Sequence, residues 1–138
     1  MGTTTVTYTA TDAAGNTTSS SFTITVTDDE DPSISGTPAN ITQTADAGQC
    51  SALVNYVAPT SSDNCGVTSF TSTHDNGDTF AVGTTTVTYT AEDAAGNQTT
   101  SSFTVTITDD EAPVIAGTPA NICLLYTSDA ADERLRVD

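Results

Sequence analysis

The sequence predicts an all-β chain made of repeated β-sandwich modules, and three features carry that prediction. Residues 2–29 recur at residues 83–110, an offset of 81 positions. Within each copy, β-branched and aromatic residues alternate with Thr and Ser, which indicates strands with one buried face. Turn residues recur about every 8–12 positions and no helical period accompanies them, which is typical of a sandwich of short strands.

The repeated segment is predicted to be a β-hairpin. In the second copy, Val87 and Tyr89 share one face of the first strand, and Phe103 and Val105 share one face of the second. Between them lies Asp93-Ala-Ala-Gly96-Asn97. This is turn chemistry, because Asp hydrogen-bonds its own backbone and Gly accepts a positive φ.

The repeat divides the chain into four parts. We expect residues 1–29 to be the C-terminal hairpin of a module whose earlier strands are missing, residues 30–110 to be one complete module, and residues 111–122 to begin a further one. At Cys123 the repeat stops, and the run CLLYTSDAADE looks like a translated sequencing adapter. Residues 123–138 are therefore interpreted as read-through rather than native sequence, and no part of the fold is predicted from them.

Shorter strands are predicted in order inside the complete module. Residues 34–41 form a first edge strand that Pro38 interrupts, because proline cannot donate to a ladder. The apolar and β-branched runs at residues 51–58 and 67–72 form the next two strands. Connections are predicted at residues 59–66 and at the polar turn 74–78, after which Phe80 and Val82 lie on a strand that leads into the hairpin.

Charge excludes several classes of partner. The net charge is −16, Lys is absent, and the only Arg residues are Arg134 and Arg136. Such a surface repels phosphate, so we expect neither nucleic acid nor anionic membranes as partners. No apolar run is long enough for direct insertion into a membrane. An acidic surface favours solubility and is compatible with a divalent cation.

No catalytic residues are predicted. Nucleophilic catalysis needs a nucleophile beside a positioned base. The only histidine, His74, lies in a Gly/Asp turn, and the acidic residues lie mainly in linkers and turns, where a carboxylate pair is poorly placed for hydrolysis. The sequence therefore predicts a protein that is not an enzyme.

One metal site is predicted, at the start of the complete module. In a sandwich of this strand order, the acidic linker 28–31, the loop 59–66 and the turn 93–97 lie at the same pole. Carboxylates and carbonyls are the ligands that Ca²⁺ takes, six to eight at a time. Calcium is thus the one candidate cofactor, and a solvated acidic linker is the alternative. The predicted ligands are Asp28, Asp29, Asp31, Asp63 and Asp93.

Two cysteines remain once Cys123 is set aside. Cys50 and Cys65 form an even pair in a Lys-free, Thr-rich chain, which favours an oxidising compartment. They can bridge if the strand between them pairs back within reach, and the alternative is two unpaired small residues.

An ordered set of motifs resembles the hyalin repeat (HYR) module. The resemblance covers residues 30–110 from end to end, with partial copies on each side. The motifs that carry it are Pro38-Ala-Asn-Ile41, Gly48-Gln-Cys-Ser-Ala52, Asp63-Asn-Cys-Gly66, the run from Phe80 to Tyr89, the run from Ala91 to Asn97, and the run from Ser102 to Asp109.

The resemblance implies an immunoglobulin-like β-sandwich that occurs in tandem in extracellular and cell-surface proteins linked to adhesion. It also implies that Cys50 and Cys65 fall on one cysteine pair of the family, and that Thr37 and Ser101 replace the second pair. The expected function is a spacer or adhesion stalk, whose partners are neighbouring modules and surface protein or glycan ligands. The alternative is an accessory module, carbohydrate-binding, of a larger secreted enzyme.

Overall fold

The structure is a computed structural model that describes residues 1–124, and within them it is all-β. The predicted read-through lies outside the described residues from position 125 onward. No helix in the described part is long and apolar enough to cross a membrane. The strands are β1 (Gly2–Thr11), β2 (Thr17–Val26), β3 (Ser33–Ser35), β4 (Ile41–Thr44), β5 (Ser51–Leu53), β6 (Thr60–Ser62), β7 (Val67–Ser72), β8 (Thr79–Ala81), β9 (Gly83–Asp93) and β10 (Gln98–Thr108).

Two layers of strands make up the module. One layer is a four-stranded sheet in the order β4-β10-β9-β7, in which β4 runs parallel to β10 and the other pairs are antiparallel. The other layer consists of the antiparallel pairs β3–β6 and β5–β8. The predicted fold class, an immunoglobulin-like β-sandwich, is confirmed.

The core lies between the β5–β8 pair and the long hairpin β9–β10. Its members are nearly inaccessible to solvent, and burying each large apolar side chain contributes about 1.5–3 kcal/mol. They are Ala52, Val54, Phe80, Val87, Tyr89, Phe103, Val105 and Ile107. Along β9 every second residue is buried, and this alternation continues from Ala91 to Asp93 at the strand's end. The alternation along β9 therefore places the Asp93 carboxylate on the inner face of the sheet.

The second predicted strand was too long, and a strand was missed in the loop after it. Beyond Leu53 the chain leaves its partner, because Val54 bonds to the turn at residues 77–78 through its N–H and C=O. Buried Pro59 then offers no N–H, and β6 begins directly after it. Strand β6 is Thr-Ser-Ser, which has no alternation of apolar and polar residues. The sequence pattern therefore did not predict that it pairs with β3.

The first hairpin, β1–β2, repeats β9–β10 but has an open face. Tyr8 is 67 % exposed and Phe22 is 49 % exposed, whereas their counterparts 81 positions later, Tyr89 and Phe103, are 4 % and 3 % exposed. The hairpin forms in both places because its strands and turn are encoded locally. In residues 1–27 no further strand covers the apolar face, and the division of the chain into modules stays a prediction.

Candidate metal centre

A tight turn presents the carboxylate at the end of β9. Oδ1 of Asp93 accepts hydrogen bonds from the backbone N–H groups of Ala95 (2.8 Å), Gly96 (2.7 Å) and Asn97 (2.9 Å). Oδ2 accepts a bond of 2.7 Å from the Asn97 side chain. Gly96 adopts φ +93°, which a side chain rarely permits. The motif Asp-Ala-Ala-Gly-Asn thus fixes this carboxylate, which is 2 % exposed.

The hydrogen bonds of this turn decide the charge state of Asp93. Burial raises the pKa of the carboxyl, but the bonds from the Asn97 side chain and from the turn's backbone outweigh it, and the pKa ends below its ordinary value. The turn in the first hairpin behaves in the same way. There the Asn16 side chain, followed by the backbone of the same turn, lowers the pKa of Asp12. Asp93 is accordingly an anion at neutral pH.

The linker before the module is tied to the same turn. The Asn97 amide lies 3.3 Å from the carbonyl oxygens of both Asp28 and Glu30, and donates toward them. The Asn64 amide donates to the Glu30 carboxylate at 2.9 Å. Asn97, which the sequence indicated as a turn former, therefore also fixes where the linker crosses the module.

Three carboxylates converge at this point. Asp28 from the linker, Asp63 from the β6–β7 loop and Asp93 from the β9–β10 turn each offer an oxygen, and these atoms all lie within 4.8 Å of one another. Oδ2 of Asp28 and Oδ1 of Asp63 are buried and have no hydrogen-bond partner. Their other oxygens are used locally, by the backbone N–H groups of Glu30 and Cys65.

Two unpartnered, buried carboxylate oxygens beside a third anion are costly. Buried polar groups are nearly always hydrogen-bonded, and an unsatisfied one loses its solvation without compensation. The described residues contain no Lys or Arg to neutralise the group. A divalent cation bound by oxygens supplies the missing partner for both atoms, and three carboxylates with nearby carbonyls form an oxygen-only ligand set. The residues present therefore suit Ca²⁺.

Not all of the predicted ligands come together. Asp28, Asp63 and Asp93 form the group, whereas Asp29 and Asp31 are exposed and lie outside it. The sequence alone could not show which linker carboxylates join the group, because the path of the linker depends on the two hydrogen bonds from Asn97.

The predicted disulfide between Cys50 and Cys65 is not formed, and this is a correction. Both cysteines are free and exposed. Cys50 adjoins the start of β9, since its carbonyl accepts a bond of 3.0 Å from Val82. Cys65 precedes Val67, which pairs with Asp93 at the other end of β9. Ten residue steps of extended strand separate these ends by roughly 30 Å, far beyond the reach of a disulfide.

Two hydroxyl residues stand where the resemblance implies a second cysteine pair. Oγ1 of Thr37 and Oγ of Ser101 lie 2.7 Å apart and form a partly buried hydrogen bond across 64 positions of sequence. These two positions, matched to the family by motif alone, are therefore in contact.

Comparison with known proteins agrees with the fold. The HYR domain family matches residues 1–26 and again residues 27–107. Hyalin of Strongylocentrotus purpuratus is 41% identical over 127 residues, which is 88% of this chain and 11% of that protein. Hyalin of Lytechinus variegatus is 42% identical over 124 residues, or 87% of this chain and 23% of that protein.

A more distant relative is similar over nearly the whole chain. The sushi, von Willebrand factor type A, EGF and pentraxin domain-containing protein 1 of Rattus norvegicus is 35% identical over 136 residues, which is 95% of this chain and 4% of that protein. The chain thus spans a small part of each relative. Fold, motifs and similarity agree, and the chain belongs to the HYR domain family.

Proposed function

We propose that this chain is a non-catalytic part of an extracellular or cell-surface array of HYR modules, and that it acts as a spacer or adhesion stalk. In this proposal a Ca²⁺ ion stiffens the junction between successive modules. The observation that carries it is the position of Asp28. This linker residue lies with Asp63 and Asp93 of the module in one group of carboxylates.

A cation held by these three residues restrains the linker relative to the module. Asp28 lies in the linker, two positions after β2, whereas Asp63 and Asp93 belong to the sandwich. The buried Pro32 already restricts the backbone conformation of the linker on its C-terminal side. An ion that shares ligands from both sides opposes bending at the junction, which is what a spacer under load requires.

An extracellular setting supports the choice of ion. Extracellular calcium modules work with dissociation constants of about 10⁻⁴–10⁻³ M, so a site with three carboxylates suffices. Membership of the HYR family supports the location and the adhesion role. The carbohydrate-binding alternative has weaker support, because the exposed aromatic pair Tyr8 and Phe22 corresponds to core residues of the complete module.

Small-angle X-ray scattering of an array chain tests this proposal. The array chain is residues 1–110 followed directly by a second copy of residues 30–110, which keeps the repeat spacing of 81. In millimolar Ca²⁺ we expect a narrower distribution of interatomic distances than in chelator. The variant with Asp28→Asn and Asp109→Asn, its counterpart 81 positions later, should lose the difference.

A matched control removes the same number of negative charges from linker residues next to the carboxylate group. Asp29→Asn with Asp110→Asn changes neighbouring linker residues that do not belong to the carboxylate group. This variant should keep the calcium response. Scattering curves that are identical with and without calcium in the unmodified array would refute the stiffened-junction proposal.

A further inference from the structure

The two free cysteines of the module lie at its two junctions. Cys50 is at the end where the chain leaves. There the backbone N–H of Gly48 donates to the Glu111 carboxylate at 2.7 Å, and a shallow groove separates this loop from the exit linker. Gly48, Gln49 and Cys50 line one side of the groove, and residues 109 and 111–114 line the other.

Cys65 is at the end where the chain enters. Its backbone N–H donates to Asp63 at 2.8 Å, within the carboxylate cluster. The side chain of the preceding residue, Asn64, donates to the Glu30 carboxylate of the entry linker at 2.9 Å. Cys65 therefore lies in a loop that is bonded to the entry linker, and it is exposed.

The repeat makes these two linkers one and the same. Asp109 stands 81 positions after Asp28, so the exit linker of one module is the entry linker of the next. Cys50 of the first module lies beside that linker, and the cysteine equivalent to Cys65 in the second module lies beside it too. Within a module the two thiols are roughly 30 Å apart, but across a junction they adjoin the same few residues.

We propose that Cys50 of one module forms a disulfide with the Cys65 position of the module that follows it. A low-molecular-weight disulfide such as oxidised glutathione is the oxidant. One cysteine thiolate attacks it and releases one glutathione. The second cysteine thiol then attacks the mixed disulfide and releases the other, so that two thiols are oxidised and two glutathione molecules are formed.

The inference rests on the tandem array of the proposed function but not on its calcium ion. It accounts for an exposed cysteine at each end of a module that has no internal bridge. It also gives the partner a defined chemistry, namely a second copy of this module in head-to-tail order.

The full chain supplies the first test. In a Cys123→Ser background, treatment with oxidised glutathione should give monomers without a bond between Cys50 and Cys65. Cleavage after Asp46, Asp63 and Asp75 separates the two cysteines into different peptides, so a non-reducing peptide map detects such a bond. Its presence in the monomer would overturn the proposal.

The array chain supplies the second test, because it holds four cysteines. After oxidation in chelator and then alkylation, we expect two alkylated thiols per chain. Zero would indicate a bridge inside each module and four would indicate no bridge, and either result would overturn the proposal. Cys50→Ser in the first copy alone should abolish the disulfide, whereas the same change in the second copy alone should leave it intact.

These readouts separate the two proposals. Thiol counting in chelator does not depend on the cation, and the calcium response can be measured in an array in which both copies carry Cys50→Ser and Cys65→Ser. A bridge without a calcium response, or a calcium response without a bridge, identifies which proposal has failed.

Discussion

A disulfide designed at the hydroxyl pair should stabilise the module strongly. Thr37 and Ser101 bond through their Oγ atoms at 2.7 Å, a separation compatible with the Cβ spacing of about 3.5–4.5 Å that a disulfide needs. We expect Thr37→Cys/Ser101→Cys to oxidise readily. Cys50, Cys65 and Cys123 are exposed and can be changed to Ser in the background to prevent mispairing.

The size of the effect follows from the loop that the bond closes. The two residues are 64 positions apart. In the chain-entropy account, closing such a loop stabilises the folded state by about 4 kcal/mol. The lost Thr–Ser hydrogen bond offsets about 1 kcal/mol. The net gain of about 3 kcal/mol corresponds to a rise in Tm of roughly 12–24 °C for a module of this size.

Thermal melts of the oxidised and reduced double variant measure this difference on one protein. The single variant Thr37→Cys serves as a control, and should show no dependence on reductant. If the double variant fails to oxidise, or oxidises without a rise in Tm, then the two positions do not face each other as described.

Two further predictions concern the core and the turn. Ile107→Val introduces the residue found 81 positions earlier, and should lower the free energy of unfolding in urea by about 0.5–1.5 kcal/mol because Ile107 is buried. Ile24→Val in the open hairpin should have almost no effect, because Ile24 is exposed. Equal losses of stability in the two variants would contradict the burial pattern. Because the pKa of folded Asp93 lies below the ordinary 3.8, its contribution to stability is present above about pH 5 and is lost as the pH falls below about 4. Asp93→Asn should flatten the decline in unfolding free energy between about pH 5 and pH 3. An unchanged slope in this variant would contradict the low pKa.

Local patterns were sufficient for most of the fold. Alternation in the two long hairpins indicates both strands and faces, and the Asp-x-x-Gly-Asn motif indicates the turn, because these depend on near neighbours in sequence. The third short strand, residues 67–72, was placed correctly for the same reason. Strand β6 was missed because it is polar and is held by its partner β3, about thirty residues away.

The site was only partly predictable. Sequence position indicates that the linker, loop and turn share a pole, but the choice of Asp28 over Asp29 depends on hydrogen bonds from Asn97 across 69 positions. The cysteine pairing was wrong for a different reason. The bridge required the strand between Cys50 and Cys65 to pair back within reach, whereas the two cysteines lie near opposite ends of β9, which spans the module.

Calorimetric titration of the chain with CaCl₂ measures whether a cation binds at the junction before the module. We expect one ion per chain, bound by Asp28, Asp63 and Asp93. Asp63→Asn keeps an acceptor for the Cys65 N–H but removes a charge, and should abolish binding, whereas Asp29→Asn should leave it intact. Absence of binding by the unmodified chain, or equal loss in both variants, would contradict a cation at this junction.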